Sequence, residues 1–126
     1  MESIKRLQVV EAISVNPERL ETLYEESGFS AAEHIVCRAL EDLAFALTQA
    51  ERFLQTGNMS GLDQTAERLI ETANRVGMTS LASVGQHVRV TLAQGDQAGL
   101  AACVARMSRI GEGSLMAIWD LQDVNP

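Results

Sequence analysis

The chain has 126 residues, long enough for one domain with a core that needs no staples. Its formal net charge of −7 argues against a general electrostatic grip on nucleic acid or on anionic lipid, and no dense basic patch offsets it. Apolar residues make up 46% but aromatics only 4%, so the core must come from Leu, Ala, Val, Ile and Met, which suits packed helices.

Met1 to Val15 places Ile4, Leu7, Val10 and Ile13 at helical spacing, which predicts a short amphipathic helix. No run approaches the ~20 apolar residues that span a bilayer. The basic-then-apolar layout of a secretion signal is also missing. The expectation is a cytoplasmic protein with no membrane contact. Cys37 and Cys103 fit it as reduced thiols with apolar neighbours, behaving as small core hydrophobes.

Asn16-Pro17 marks a new start, with Asn16 suited to the N-cap and Pro17 to the first helical position. Leu20, Leu23 and Tyr24 give this segment a small inward face up to Ser27-Gly28. Ser30-Ala31-Ala32-Glu33 has the form of a capping box. The helix it opens runs to about Thr56, with Val36, Leu40, Leu43, Leu47, Ala50 and Leu54 at alternating spacings of four and three. Gly57-Asn58 ends it.

The next helix is predicted over Ser60 to Gly77. Leu62, Ala66, Leu69, Ala73 and Val76 form its inward stripe. Gln64, Glu67, Glu71, Asn74 and Arg75 occupy the opposite face, with Arg68 beside them. Ser60 suits the N-cap, Asp63 suits the first turn, and Gly77 suits a left-handed terminus.

Thr79 or Ser80 caps a further helix to Gln94, with Leu81, Val84, Val88 and Leu92 inward. Asp96 caps the last, with Leu100, Val104, Met107, Leu115, Ile118 and Leu121 inward. Gly111-Glu112-Gly113 sits inside that run and predicts a kink or a close helix contact, since a mid-helix glycine costs about 1 kcal/mol relative to Ala. Gly85 and the small residues Ala82, Ala101, Ala102 and Ala105 suggest further close approaches. Trp119 is expected to seal one end against the N-terminal helix.

No segment alternates like a strand. The pattern predicts an all-α fold: an antiparallel up-down-up-down four-helix bundle over about 30–122, preceded by one or two short helices within 1–28. It treats 1–126 as a single domain.

The stretch Ala66 to Val88 resembles the centre of a histidine-containing phosphotransfer (HPt) domain. That family carries an exposed His, a Lys three residues on and a Gly four residues on. A Leu-Gly-like pair follows, its Gly ten residues after the His, and then a Leu opens the next helix. Val76-Gly77 and Leu81 match the second half. Glu67 stands at the acceptor position, Ile70 at the Lys position and Glu71 at the Gly position. The scaffold half of the pattern is present and the chemical half is not. The resemblance covers roughly Ser30 to Gln122.

The resemblance implies a bacterial two-component signalling module. Its acceptor position holds a carboxylate without a nucleophilic nitrogen, and Glu67 and Glu71 form a like-charge pair at i, i+4. Phosphotransfer through this position is therefore expected to be lost. The remaining role is non-catalytic docking of a receiver or histidine kinase domain through Gln64, Glu67, Arg68, Glu71, Asn74 and Arg75. A solvated face on an inherited scaffold is the plainer alternative.

His34 and His87 are the other imidazoles, and either is an alternative phosphoacceptor. Each also reads as an ordinary surface histidine: no acidic residue directly follows His34 and no Pro lies in its next turn, and His87 has no carboxylate at a supporting spacing. No residue set has metal-ligand spacing, and no cofactor motif or catalytic constellation is visible, so no enzyme activity is expected. A structural bundle without a signalling role stays open, with Met1 to Val15 packing on a second copy to make a homodimer.

Overall fold

A computed structural model describes residues 15–124, with side chains described to Asp120. It contains five helices: α1 (Pro17–Ser27), α2 (Phe29–Thr56), α3 (Met59–Arg75), α4 (Thr79–Gln94) and α5 (Gln97–Val124). There is no strand among the described residues. The helix predicted over Met1 to Val15 lies outside them except for Val15, which is half-buried against the core.

Each of α2 to α5 packs on its neighbours in sequence, α5 returns to α2, and α1 packs on α2. Facing pairs run in opposite order. Asp63 meets Arg89, and Ile70 further along α3 meets Gly85 earlier in α4. Glu51 meets Ser108, whereas Leu47 meets Gly111. So α3 runs against α4, and α2 against α5. This arrangement is compatible with the expected four-helix bundle.

The predicted stripes do close the core. Val36, Leu43, Leu47 and Ala50 of α2 meet Leu62, Ala66, Leu69 and Ala73 of α3. Leu81, Val84 and Val88 of α4 and Leu100, Val104, Met107 and Ile118 of α5 complete it. Because few aromatics are present, helices come close through glycine. A Cβ on Gly85 would lie 2.8 Å from Ile70 Cγ1, and one on Gly111 would lie 2.5 Å from Leu47 Cδ1. The Gly111-Glu112-Gly113 stretch thus serves a close α2–α5 contact within a continuous helix. Ala101, Ala102 and Ala105, expected to serve the same purpose, are exposed instead.

Helix starts differ from expectation in three places. Gly28 alone links α1 to α2: its N–H donates to Tyr24 O at 2.9 Å and its own carbonyl accepts from Ala32 N at 3.0 Å. This draws Phe29 into the helix, where its ring lies 5.7 Å from that of Tyr24, and Ser30 is no cap. For α3 the cap is Asn58 rather than Ser60, its Oδ1 accepting from Gly61 N at 2.9 Å. For α4 it is Met78, fully buried, rather than Thr79 or Ser80. Asn16 and Asp96 act as expected, accepting from Glu18 N and Gly99 N at 3.0 Å each.

Two further expectations are corrected. Cys37 is exposed, because it sits about 100° around α2 from Val36 and leaves the inward stripe. Trp119 is 56% exposed rather than sealed. Cys103 is half-buried, with its Sγ 3.6 Å from Thr91 Oγ1. An aromatic-disulfide reagent added to the folded protein should modify Cys37 in a fast phase and Cys103 in a slow one. Cys37→Ser should abolish the fast phase; its survival would place Cys37 inside.

The α3–α4 corner is the tightest turn. Met78 N donates to Ala73 O at 2.8 Å and Gly77 N to Asn74 O at 3.3 Å, the paired bonds of a Schellman terminus around Gly77 at φ +77°. Asn16 N donates to Gly77 O at 2.7 Å, and Arg19 Nε donates to Asn74 O at 3.2 Å, so α1 is seated on this corner. A Cβ on Gly77 would lie 2.6 Å from Asn16 O, whereas one on Gly95, at φ +72°, would meet nothing. Gly95→Ala should therefore cost about 1 kcal/mol, the left-handed penalty alone. Gly77→Ala should cost about 2–3 kcal/mol, because α1 must also shift. Chemical denaturation of the two variants tests this; equal losses would mean that α1 does not depend on the corner.

Candidate functional site

The outer face of α3 is fixed by its inner one. Leu62, Ala66, Leu69 and Ala73 are buried to 1% exposure or less, so residues turned by half a revolution face outward. Gln64, Glu67, Arg68, Glu71, Asn74 and Arg75 are all exposed, as expected. Asp63, Glu67 and Glu71 follow one another at i, i+4 intervals, three carboxylates on one stripe of helix.

Arg89 of α4 answers the upper part of that stripe. Its Nε donates to Asp63 Oδ1 at 3.0 Å, and its Nη2 lies 3.5 Å from Asp63 Oδ2. The same Nη2 stands 4.0 Å from Glu67 Oε2. The hydrogen bond to Asp63 and then the charge of Asp63 raise the Arg89 pKa above the ordinary arginine value; slight desolvation opposes this, and Glu67 adds a smaller pull. One guanidinium thus spans two carboxylates a turn apart, holding α3 to α4 beside Glu67.

Neither Asp63 nor Arg89 was singled out for this face on sequence grounds. Asp63 read as a first-turn helix residue and Arg89 as one of several scattered cations. Two acids one turn apart in α3 do call for a cation, but which helix supplies it depends on the α3–α4 register. Gly85 sets that register through its contact with Leu69 and Ile70.

The remaining site expectations fall elsewhere. His34 is exposed on α2. His87 is exposed on α4 and lines a shallow cleft with Thr79, Ser80, Ser83 and Arg106, against α5. It is two residues from Arg89 and so points well away from Glu67. The structure brings neither imidazole to the acceptor-equivalent position. Ile70 is half-buried against Gly85 and supplies no cation there. Among the described residues no group of His, Cys, Asp or Glu converges to hold a metal ion.

On the other side of α3 a groove of about 240 Å³ runs between it and α2. Its floor includes Leu43, Ala46, Phe53 and Leu69, and its edges carry Asp42, Phe45 and Arg68. The outer face of α3 is therefore divided: carboxylates and Arg89 toward α4, a groove of mixed apolar and polar lining with Arg68 toward α2.

Comparison with family models, with curated proteins and with solved structures finds no match for this chain. The outer face of α3 must be read from its own chemistry. It offers carboxylates, two amides and guanidinium groups, which make salt links and hydrogen bonds but supply no nucleophile.

Because Arg89 has a raised pKa, its contribution to stability is fully present below the ordinary arginine pKa and is lost only as pH rises through the still higher folded value. Arg89→Gln should thus lower the melting temperature by an offset that stays constant from neutral to moderately alkaline pH. The offset should fade at high salt, as for a surface ion pair. Thermal melts across pH and salt read both trends; an offset that disappears near neutral pH would rule out the Arg89–Asp63 contact as its source.

Proposed function

We propose that the chain is an HPt-like four-helix bundle acting as a non-catalytic adaptor, which docks a receiver or histidine kinase domain of a bacterial two-component system. The observation that supports this most directly is the placement of Glu67. It projects, 54% exposed, from the middle of an outward helix face, at the position where the resembled family carries its acceptor. Its neighbour Arg89 is already engaged by Asp63.

On this reading the face binds and does not react. A carboxylate at residue 67 has no nitrogen to form a phosphoramidate. Glu71 one turn away and Asp63 one turn before would repel an incoming phosphoryl group. Gln64, Asn74, Arg68 and Arg75 supply hydrogen bonds and positive charge around the acidic centre, for a partner whose own face is of mixed charge.

A second reading rests on His87, whose exposed imidazole shares a cleft with Arg106. That cleft carries both a cation and an imidazole, the two groups that phosphoryl acceptance requires. Incubation with a phosphorylated receiver separates the two. The adaptor reading expects binding without acid-labile phosphate on the protein; label that disappears in His87→Asn would favour the second.

The adaptor reading is tested by measuring binding of wild type and Glu67→Arg to a panel of receiver and kinase domains. At least one partner should bind, and Glu67→Arg should weaken it tenfold or more, a loss of about 1.4 kcal/mol. Absent binding, or equal binding by both proteins, would leave the face as ordinary solvated surface.

A further inference from the structure

The groove between α2 and α3 has a knob beside its hole. Phe45 is 63% exposed at its edge, and Leu43 and Leu69 in its wall are almost fully buried. Its volume of about 240 Å³ exceeds the ~150 Å³ in which an apolar cavity holds a benzene ring. Asp42 and Arg68 stand on opposite helices of the same groove, and neither takes part in an ion pair among the described residues. The groove is of mixed lining, with Ala46 and Phe53 giving its accessible apolar floor and Gln49, Thr65 and Thr72 its polar wall, so an exposed Phe, a partly apolar hole and two opposite charges share one patch.

We infer that this face binds a second copy of the chain as a twofold dimer. Placing α2 of one copy over α3 of the other brings Phe45 and Asp42, one turn apart on α2, over the groove edge that carries Arg68. The twofold repeats the contact, so each Phe45 enters the other groove and each Asp42 meets the other Arg68. The charge complementarity favours this occupant: a surface with one Asp and one Arg on facing helices matches itself when turned over. Phe45 is then the anchor, an aromatic placed centrally in a pocket, with the ion pairs fixing orientation at the rim. The inference does not rest on the receiver-docking reading: it uses the groove, sharing Arg68 with that face but not the Asp63–Glu67–Glu71 stripe.

Sedimentation equilibrium of the full chain tests it, with helical content checked by circular dichroism. Wild type should dimerise. Phe45→Asp and Arg68→Asp should each raise the dissociation constant, the former by about 30-fold or more, with helical content unchanged. The double exchange Asp42→Arg with Arg68→Asp restores both symmetry-related pairs and should recover the dimer that Arg68→Asp alone loses. A wild type that stays monomeric, a Phe45→Asp protein that dimerises as wild type does, or a double exchange no tighter than Arg68→Asp would each overturn the proposal. A dimer unaffected by all three substitutions would place the contact elsewhere, including the segment before Val15.

Discussion

One end of the molecule depends on the left-handed backbone of Gly77. Three separate chain segments meet there: the last turn of α3, the first turn of α4, and the entry to α1. The carbonyl of Gly77 accepts from Asn16, and the space where a side chain would stand is taken by the Asn16 backbone. A residue with a Cβ would lose twice, once to the torsion angle and once to the clash. This one residue therefore sets both the direction in which α4 leaves α3 and the seat of α1. Burial agrees with it: Val76 and Met78 on either side are fully buried, so the corner is tied into the core.

From that corner the rest of α3 follows. Its inward stripe is short-chained and closely packed, and Gly85 lets α4 approach until its Cα lies against Ile70 and Leu69. Close approach brings Arg89 within reach of Asp63. Without it, Asp63, Glu67 and Glu71 would be a row of like charges with no answering cation. The acidic face is thus a consequence of helix packing as well as of composition: a glycine one turn away determines where a guanidinium stands.

How much of this was legible in the sequence can be judged element by element. The helices of 29–124 were visible because four-three spacing of apolar residues reports burial directly, and the stripes of α2 and α3 match the buried residues closely. The outward face of α3 was visible for the same reason. Cap residues were less legible. Ser30, Ser60 and Thr79 all have suitable side chains, but a cap is the residue at which the backbone leaves helical torsions, and Gly28, Asn58 and Met78 hold those positions instead. Cys37 shows the limit of neighbour counting, since apolar neighbours in sequence lie around the helix and not beside the thiol. The Arg89–Asp63 bridge and the α2–α3 groove were not legible at all. Both are properties of register between helices, which periodicity along a single helix does not contain.

The two outer borders of α3 differ because the helices flanking it differ. Toward α4 the interface is closed by a glycine, the backbones are near, and the boundary is finished with a hydrogen-bonded charge pair. Toward α2 the corresponding positions are Phe53, Ala46 and Gln49, and the interface is left open as a groove with Arg68 and Asp42 at its edges, neither in an ion pair among the described residues. A closed border with satisfied charges gains little from a partner, since any new salt link must compete with the existing one. An open border gains both buried apolar area and two charge contacts. Arg68 and Glu67, adjacent in sequence, therefore have different energetic standing. Glu67 already feels an in-chain cation, whereas Arg68 has its full electrostatic capacity to offer. On the α4 side an incoming group would compete with Asp63 for Arg89, whereas on the α2 side Arg68 stands outside any ion pair among the described residues.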